Sequence, residues 1–277
     1  TTLEQCLSEA RQAGFIGIES GGKFPKNSSE LIPKLNQFNL NLCSGWYGAN
    51  LRNNSVEQEK KLIHQQLTLF KDCKAPCIVL AEVSGSIQGD PKRKLSSRPQ
   101  MDNDEWKIFC EKISELAKYL QDNEMPLAYH HHMGTIIETQ KDTERLLENT
   151  HESVKLTLDT GHMLFAKGDS KKILENYKDR ILHVHCKDIR KDVLDKSLKE
   201  DLSFRGAFLN GAFTVPGDGC INYQPLFDIL KKNNYSGWLV VEAEQDPKKA
   251  NPLEYAIKGY KYLVETLKKS NIEIEKS

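Results

Sequence analysis

Val154-Lys-Leu-Thr-Leu-Asp159 and Ile181-Leu-His-Val-His-Cys-Lys187 are two short, largely apolar runs, and between them Ser170 to Tyr177 reads as a helix. Each run has the length and residue types of a strand, and each ends on ionisable or proton-binding groups. A strand–helix–strand unit of this kind implies parallel pairing, because parallel neighbours need a crossover connection. The alternation continues on both sides. Upstream, Gly14 to Glu19, Asn39 to Trp46, Cys77 to Val83 and Pro126 to His132 read as strands. Downstream, Gly237 to Glu242 reads as another.

Helices fill the intervals. Leu3, Cys6, Leu7, Ala10 and Ala13 form one apolar face behind Thr2, a good N-cap. Ser28 to Phe38, Val56 to Cys73, Asp104 to Asn123, Thr139 to Asn149, Tyr223 to Asn233 and Pro252 to Lys268 follow the same logic. The stretch from Arg190 to Ile221 reads as irregular. The expected fold is therefore α/β: a (β/α)8 TIM barrel forming a single domain over residues 1–277. Its first strand is expected upstream of residue 1, and residues 269–277 are expected to be a frayed tail. A doubly wound open sheet is weakened by the lack of a glycine-rich phosphate fingerprint after any strand.

Composition bounds the function. The chain has 277 residues, 38% hydrophobic and 28% charged, which suits a soluble globular protein with a large core. Thirty-nine basic and 39 acidic residues give no net charge, which argues against broad electrostatic binding of nucleic acid. No apolar run reaches the roughly 18 residues a membrane helix needs, and no signal peptide is legible. The seven cysteines are odd in number and scattered. They read as thiols of a reducing compartment, so the expected location is cytoplasmic. Cys73 and Cys77 lack the second pair that a zinc site would need. The basic loop from Lys92 to Arg98 reads as solvated, and a homo-oligomer is compatible with the sequence.

The chemistry gathers at strand ends. Barrel enzymes place reacting groups at the C-terminal ends of their strands. Here those ends carry Glu19, Glu82, the run His130-His131-His132, Asp159, His185 with Lys187, and Glu242 with Glu244. Asp159, His185 and Glu242 would converge on one point. Two carboxylates and an imidazole suit a borderline divalent cation better than calcium. Strand alternation puts His130 and His132 on one face and His131 on the other. His130 is the natural fourth ligand. His132 stands as a catalytic acid–base group, beside Glu242, Lys187 and Glu82. Glu19, Trp46 and His162 are candidate substrate-binding residues.

Several segments taken together resemble a known family. They are Leu127-Ala-Tyr-His-His-His-Met-Gly-Thr135, Leu158-Asp-Thr-Gly-His162, His183-Val-His-Cys-Lys-Asp188, Val215-Pro-Gly-Asp-Gly-Cys220 and Gly237-Trp-Leu-Val-Val-Glu-Ala-Glu-Gln-Asp-Pro247. Gly21-Gly-Lys-Phe-Pro25 and Ala81-Glu-Val-Ser-Gly85 fit as well. The chain resembles the inosose dehydratases, of the xylose-isomerase-like barrel superfamily, from residue 1 to about residue 268. The resemblance implies a hydro-lyase of myo-inositol catabolism. Its substrate would be 2-keto-myo-inositol (scyllo-inosose), and its product a trihydroxycyclohexane-1,2-dione. It also implies manganese or cobalt, and a glutathione requirement for which no residue here suggests a site. The superfamily's metal pattern is Glu, Asp, His, Glu from consecutive strands. Asp159, His185 and Glu242 match its last three members. The first gives way to the run 130–132, with Glu138 as a distant alternative. The other reading on this scaffold is a metal-dependent ketose isomerase or epimerase, which shares proton abstraction but loses no water.

Overall fold

The structure is a computed structural model describing residues 1–275. Seven parallel strands form its centre: β1 (Gly17–Ser20), β2 (Asn41–Ala49), β3 (Ile78–Glu82), β4 (Leu127–His130), β5 (Val154–Asp159), β6 (Ile181–Cys186) and, late in the chain, β9 (Leu239–Val241). They pair in that order. Helices lie outside: α1 (Leu3–Ala13), α2 (Ser28–Gln37), α3 (Val56–Asp72), α4 (Asn103–Asp122), α5 (Gln140–Asn149), α7 (Ser170–Asn176), α10 (Gln224–Lys232) and α11 (Pro252–Lys269). This is the TIM-barrel arrangement expected from the alternation. Among the described residues no further strand joins β1 to β9. Packing closes that flank instead: α1 lies against α11, and the Trp238 ring fills the space where Gly17 lacks a side chain.

The helix ends follow their sequence signals. Thr2 accepts from Gln5 N at the start of α1, and Gly14 closes that helix with φ at +110°. Ser55 with Gln58, and Asp102 with Glu105, form reciprocal capping boxes on α3 and α4. The strands of the first half bury their apolar residues against α3 and α4, around Ile63, Phe70, Ile113 and Leu116. A second cluster joins β5 and β6 to α10 and α11.

Two expectations change. The stretch from Arg190 to Ile221 is ordered. It contains α8 (Lys191–Lys199), α9 (Phe204–Leu209) and β8 (Phe213–Thr214), and β8 pairs antiparallel with β7 (Asp188–Ile189) just ahead of the stretch. The buried Asp188 carboxylate ties it down by accepting from the Ile189, Gly217 and Ile221 N–H groups. A side chain at Gly219 would collide with that carboxylate, which accounts for the glycine in Val215 to Cys220. The tail expected to fray is packed as far as Ile274, since Ile272 and Ile274 lie on the second core cluster. Residues 276 and 277 lie outside the described residues.

No helix among the described residues is long and apolar enough to cross a membrane. The seven cysteines are free, with Cys43, Cys77, Cys110 and Cys186 buried and Cys220 exposed.

Candidate active site

The strand ends meet in a cavity of about 410 Å³ whose wall includes Glu19, Trp46, His130, His132, His185, Glu242 and Glu244. Four of the residues singled out in the sequence form its base. His130, Asp159, His185 and Glu242 each offer a ligand atom, and these atoms lie within 4.8 Å of one another. Glu242 Oε2 is 3.0 Å from His185 Nδ1. Asp159 Oδ2 is 3.6 Å from the same nitrogen and 3.5 Å from His130 Nε2.

Local structure aims these atoms. Asp159 ends β5 and caps α6 (Thr160–Phe165), its Oδ1 accepting from His162 N at 2.8 Å. One oxygen is thus spent on the helix end, and the other is held towards the cavity. Residue 131 faces away from the group, as alternation requires: His131 Nε2 accepts from Asp159 N. On β6 and just past it, His183, His185 and Lys187 all point inward.

Lys187 is fully buried. It pairs with Glu244 at 2.9 Å, Glu242 at 3.0 Å and Asp159 at 3.4 Å. Burial works against its charge, but the three carboxylates hold it well above the ordinary lysine range, so it stays ionised. Its stem also explains the Asp159-Thr-Gly-His162 motif, because a side chain at Gly161 would run into it.

Opposing charges set the other ionisation states. Burial raises the Glu19 and Asp159 carboxyls, yet both end well below the ordinary range. His185 and His183 hold down Glu19, and Lys187 with His162 holds down Asp159. Burial would discharge His185, but Glu19, Asp159 and Glu242 keep it protonated. His132 and His162 are pushed down by burial, and so is His131, to about 3.

This arrangement fits a divalent cation. Asp159 Oδ2 and Glu242 Oε2 are buried without a well-directed hydrogen bond, although cationic nitrogens stand near both. Such oxygens are costly unless something positive meets them. Asp159, Glu242 and Glu244 face one lysine, so the cluster has a negative excess once its imidazoles are neutral. A cation among the four donors would relieve the excess and take the place of the His185 proton.

Other sequence candidates fall elsewhere. Glu82 is fully buried beside the site, not in it: Leu51 N and Ser84 N occupy its oxygens at 2.6 and 2.7 Å. It holds two loops together, and the catalytic role expected of it is withdrawn. His162, expected to touch substrate, is fully buried behind Glu244, 3.2 Å from its Oε2. Trp46 stands at the cavity mouth, 39% exposed, with its ring edge-to-face on His130 and His132. Glu19 lines the cavity but is engaged by His183 at 2.9 Å and His185 at 3.2 Å. Glu138 lies apart with Arg98 and Gly134. Phe204 and Phe208 of α9 form part of the cavity wall. No motif marked them in a stretch that lacks helical regularity as a whole.

The family model "Xylose isomerase-like TIM barrel" matches residues 7–266. The rhizopine catabolism protein MocC of Rhizobium meliloti is 44% identical over 95% of this chain and 81% of its own length. The inosose dehydratase of Clostridium beijerinckii is 42% identical over 95% of this chain and 89% of its own. Among solved structures, a probable 3-DHS dehydratase, AsbF of Bacillus anthracis, superposes with a TM-score of 0.72 at 16% identity, covering 95% of this chain and 94% of that one. The IOLI protein with a bound zinc atom gives 0.68 at 16% identity, covering 98% and 94%. By the extent and level of these matches, the chain belongs to the xylose isomerase-like TIM barrel family, in the group of its members that includes the inosose dehydratases and MocC.

Proposed function

We propose that this chain is a hydro-lyase of inositol catabolism. It removes water from 2-keto-myo-inositol to give a trihydroxycyclohexane-1,2-dione, with a divalent cation held by His130, Asp159, His185 and Glu242. Identity of 40 to 42% with inosose dehydratases across 95% of the chain supports the reaction. The observation that carries the site is the pair of buried carboxylate oxygens without a hydrogen bond, Asp159 Oδ2 and Glu242 Oε2, aimed at one point. Manganese or cobalt is the cation we expect there.

The bound cation supplies Lewis-acid polarisation of the ketone. The protein supplies the rest. Lys187 contributes a fixed positive charge against oxygen atoms that become negative as the C–H bond beside the ketone breaks. Its own proton is held too firmly for it to be the ready donor that the sequence suggested. Trp46 and α9 flank the cavity mouth and keep bulk water from the reacting carbons. A cyclic polyol offers apolar C–H faces to those rings and hydroxyls to Glu19 and Glu244. The substrate is the partner we assign; its catabolic setting is cytoplasmic.

The test starts from chelator-stripped protein. Manganese or cobalt is restored, with and without glutathione, and 2-keto-myo-inositol is added. Ultraviolet absorbance of the enolised dione should rise only with the cation. Asp159→Asn should lower the rate by more than about 100-fold, beyond the usual loss for an outer-sphere residue. Solvent deuterium entering the substrate with no absorbance rise would replace the lyase with an isomerase or epimerase.

A further inference from the structure

We infer that Gln88 determines specificity: its side-chain amide holds a hydroxyl of a polyhydroxylated ring, one that does not meet the cation. The identity of the ring rests on the hydro-lyase reading; the recognition role does not. Gln88 lies in the loop that follows β3, which carries none of the four cation donors. Its side chain forms part of the cavity wall beside Gly89, and its Oε1 is enclosed without a hydrogen bond.

The loop presents this amide on a fixed support. The backbone beside it is satisfied: Gln88 N donates to Ser86 Oγ at 3.3 Å and Ile87 N to Gly134 O at 2.9 Å, and the Ile87 side chain is buried. Gly134 lets the loop come this close. Its φ is +80°, and a side chain there would lie 3.0 Å from Gln88 N and 3.1 Å from Ile87 Cγ1. The loop that contains Gly134 is held in turn. Met133 N meets His162 Nδ1 at 3.2 Å, and Gly134 N donates to Glu138 at 2.6 Å. Arg98 donates to Ile136 O at 3.1 Å and pairs with Asp142 at 2.9 Å. The glycine that follows the histidine run, which the cation site leaves without a use, thus serves to place Gln88.

The amide differs from the charged groups of the same wall. Glu19 is engaged by His183 and His185, and Glu242 and Glu244 by Lys187. Gln88 Oε1 has no such partner. An enclosed amide oxygen is costly while it stays unpaired, so a ligand that pairs it gains. A neutral acceptor suits a neutral donor such as a hydroxyl. The amide also carries two N–H donors beside its oxygen, so it can accept from one hydroxyl and donate to the next, the pattern that adjacent ring hydroxyls present. Trp46, Phe204 and Phe208 in the same wall offer rings to the C–H faces between those hydroxyls. Gly89 leaves the approach open, since a side chain there would meet no atom within 4 Å.

Selection follows from what happens when the hydroxyl is missing. A ring with the ketone and the departing hydroxyl, but without the hydroxyl that faces Gln88, still reaches the cation. It leaves the amide oxygen unpaired, and the difference counts against that ring. Gln88 stands outside the group of cation donors and holds the ring equally before and during the reaction. Its contribution therefore falls on KM and not on kcat.

Gln88→Met keeps the length of the side chain and removes both polar atoms. Its KM for 2-keto-myo-inositol should rise about 3–10-fold, the worth of one neutral hydrogen bond, with kcat changed little. Monodeoxy analogues of the ketone separate recognition from structure. One of them should bind the wild type more weakly by a similar factor, and on that one alone Gln88→Met should lose nothing further. An unchanged KM in Gln88→Met overturns the inference. So does an equal loss on every analogue, because a merely distorted loop would weaken all of them alike. Calorimetric titration with myo-inositol, which has the hydroxyls but no ketone, keeps the two readings apart. Weaker binding to Gln88→Met than to a wild type that dehydrates nothing sustains the role of the amide and overturns the hydro-lyase. Intact dehydration with the same KM in both proteins overturns the role of the amide alone.

Discussion

Asp159 does two things with two oxygens. Oδ1 caps α6, and Oδ2 is left without a hydrogen bond among His130, His185 and Lys187. Cap and ligand are thus not competing explanations of a strand-end aspartate. Lys187 is as deeply buried and is the counter-charge of the same cluster. Removing one partner from a buried ion pair typically costs about 3–5 kcal/mol, because the other charge is stranded. Lys187→Met should lower unfolding stability by about that much in urea melts, and a bound cation should recover part of it. Glu138 supplies a pH test away from the cation ligands. Burial lifts its carboxyl to about 7, against the Gly134 N–H and Arg98, which pull it down. The folded chain then keeps a proton that the unfolded chain releases near 4.5, so stability falls as pH rises between these values. The span corresponds to a loss of the order of 3 kcal/mol. Glu138→Gln should flatten the stability profile between pH 4.5 and 7. An equally sloped profile in the variant would locate the effect elsewhere.

At the scale of elements, α9 is the piece the sequence did not reveal. Phe204 lies against His132 and His162, at 5.3 and 5.8 Å between centroids. The loop after β3 fastens the segment: Ser96 Oγ donates to Asp201 at 2.6 Å, and Leu95 N to Leu202 O at 3.0 Å. Asp201→Ala should speed amide hydrogen exchange in Phe204–Leu209 while leaving α3 and α4 unchanged, and should raise KM more than it lowers kcat. The physical reason for the miss is plain. Strands buried on both faces announce themselves as apolar runs, and α3 and α4 by periodicity and caps. The stretch 190–221 is held by Asp188, Gly217, Gly219 and Arg190 contacts between distant positions. Such contacts leave no local period. Glu82 was misread for a related reason: a carboxylate at a strand end looks the same whether it faces a cavity or, as here, the backbone N–H groups of Leu51 and Ser84.

For the whole molecule, the parallel sheet explains why the site was legible at all. In-line strands end on one side, so His130, Asp159, His185, Lys187 and Glu242 could be grouped from spacing alone. Their partners could not: Met133, Glu244's two anchors and the Trp238 contact with Gly17 come from folding. A cation that binds only the folded chain must stabilise it, by about 2.7 kcal/mol at 100 times its dissociation constant. Thermal melts with manganese should therefore shift upward in the wild type and much less in Asp159→Asn. The most direct measurement is anomalous diffraction from manganese-soaked crystals. A peak enclosed by His130 Nε2, Asp159 Oδ2, His185 Nδ1 and Glu242 Oε2 is the predicted result. A peak among His132, His162 and Glu244, or no ordered cation at the strand ends, would contradict it.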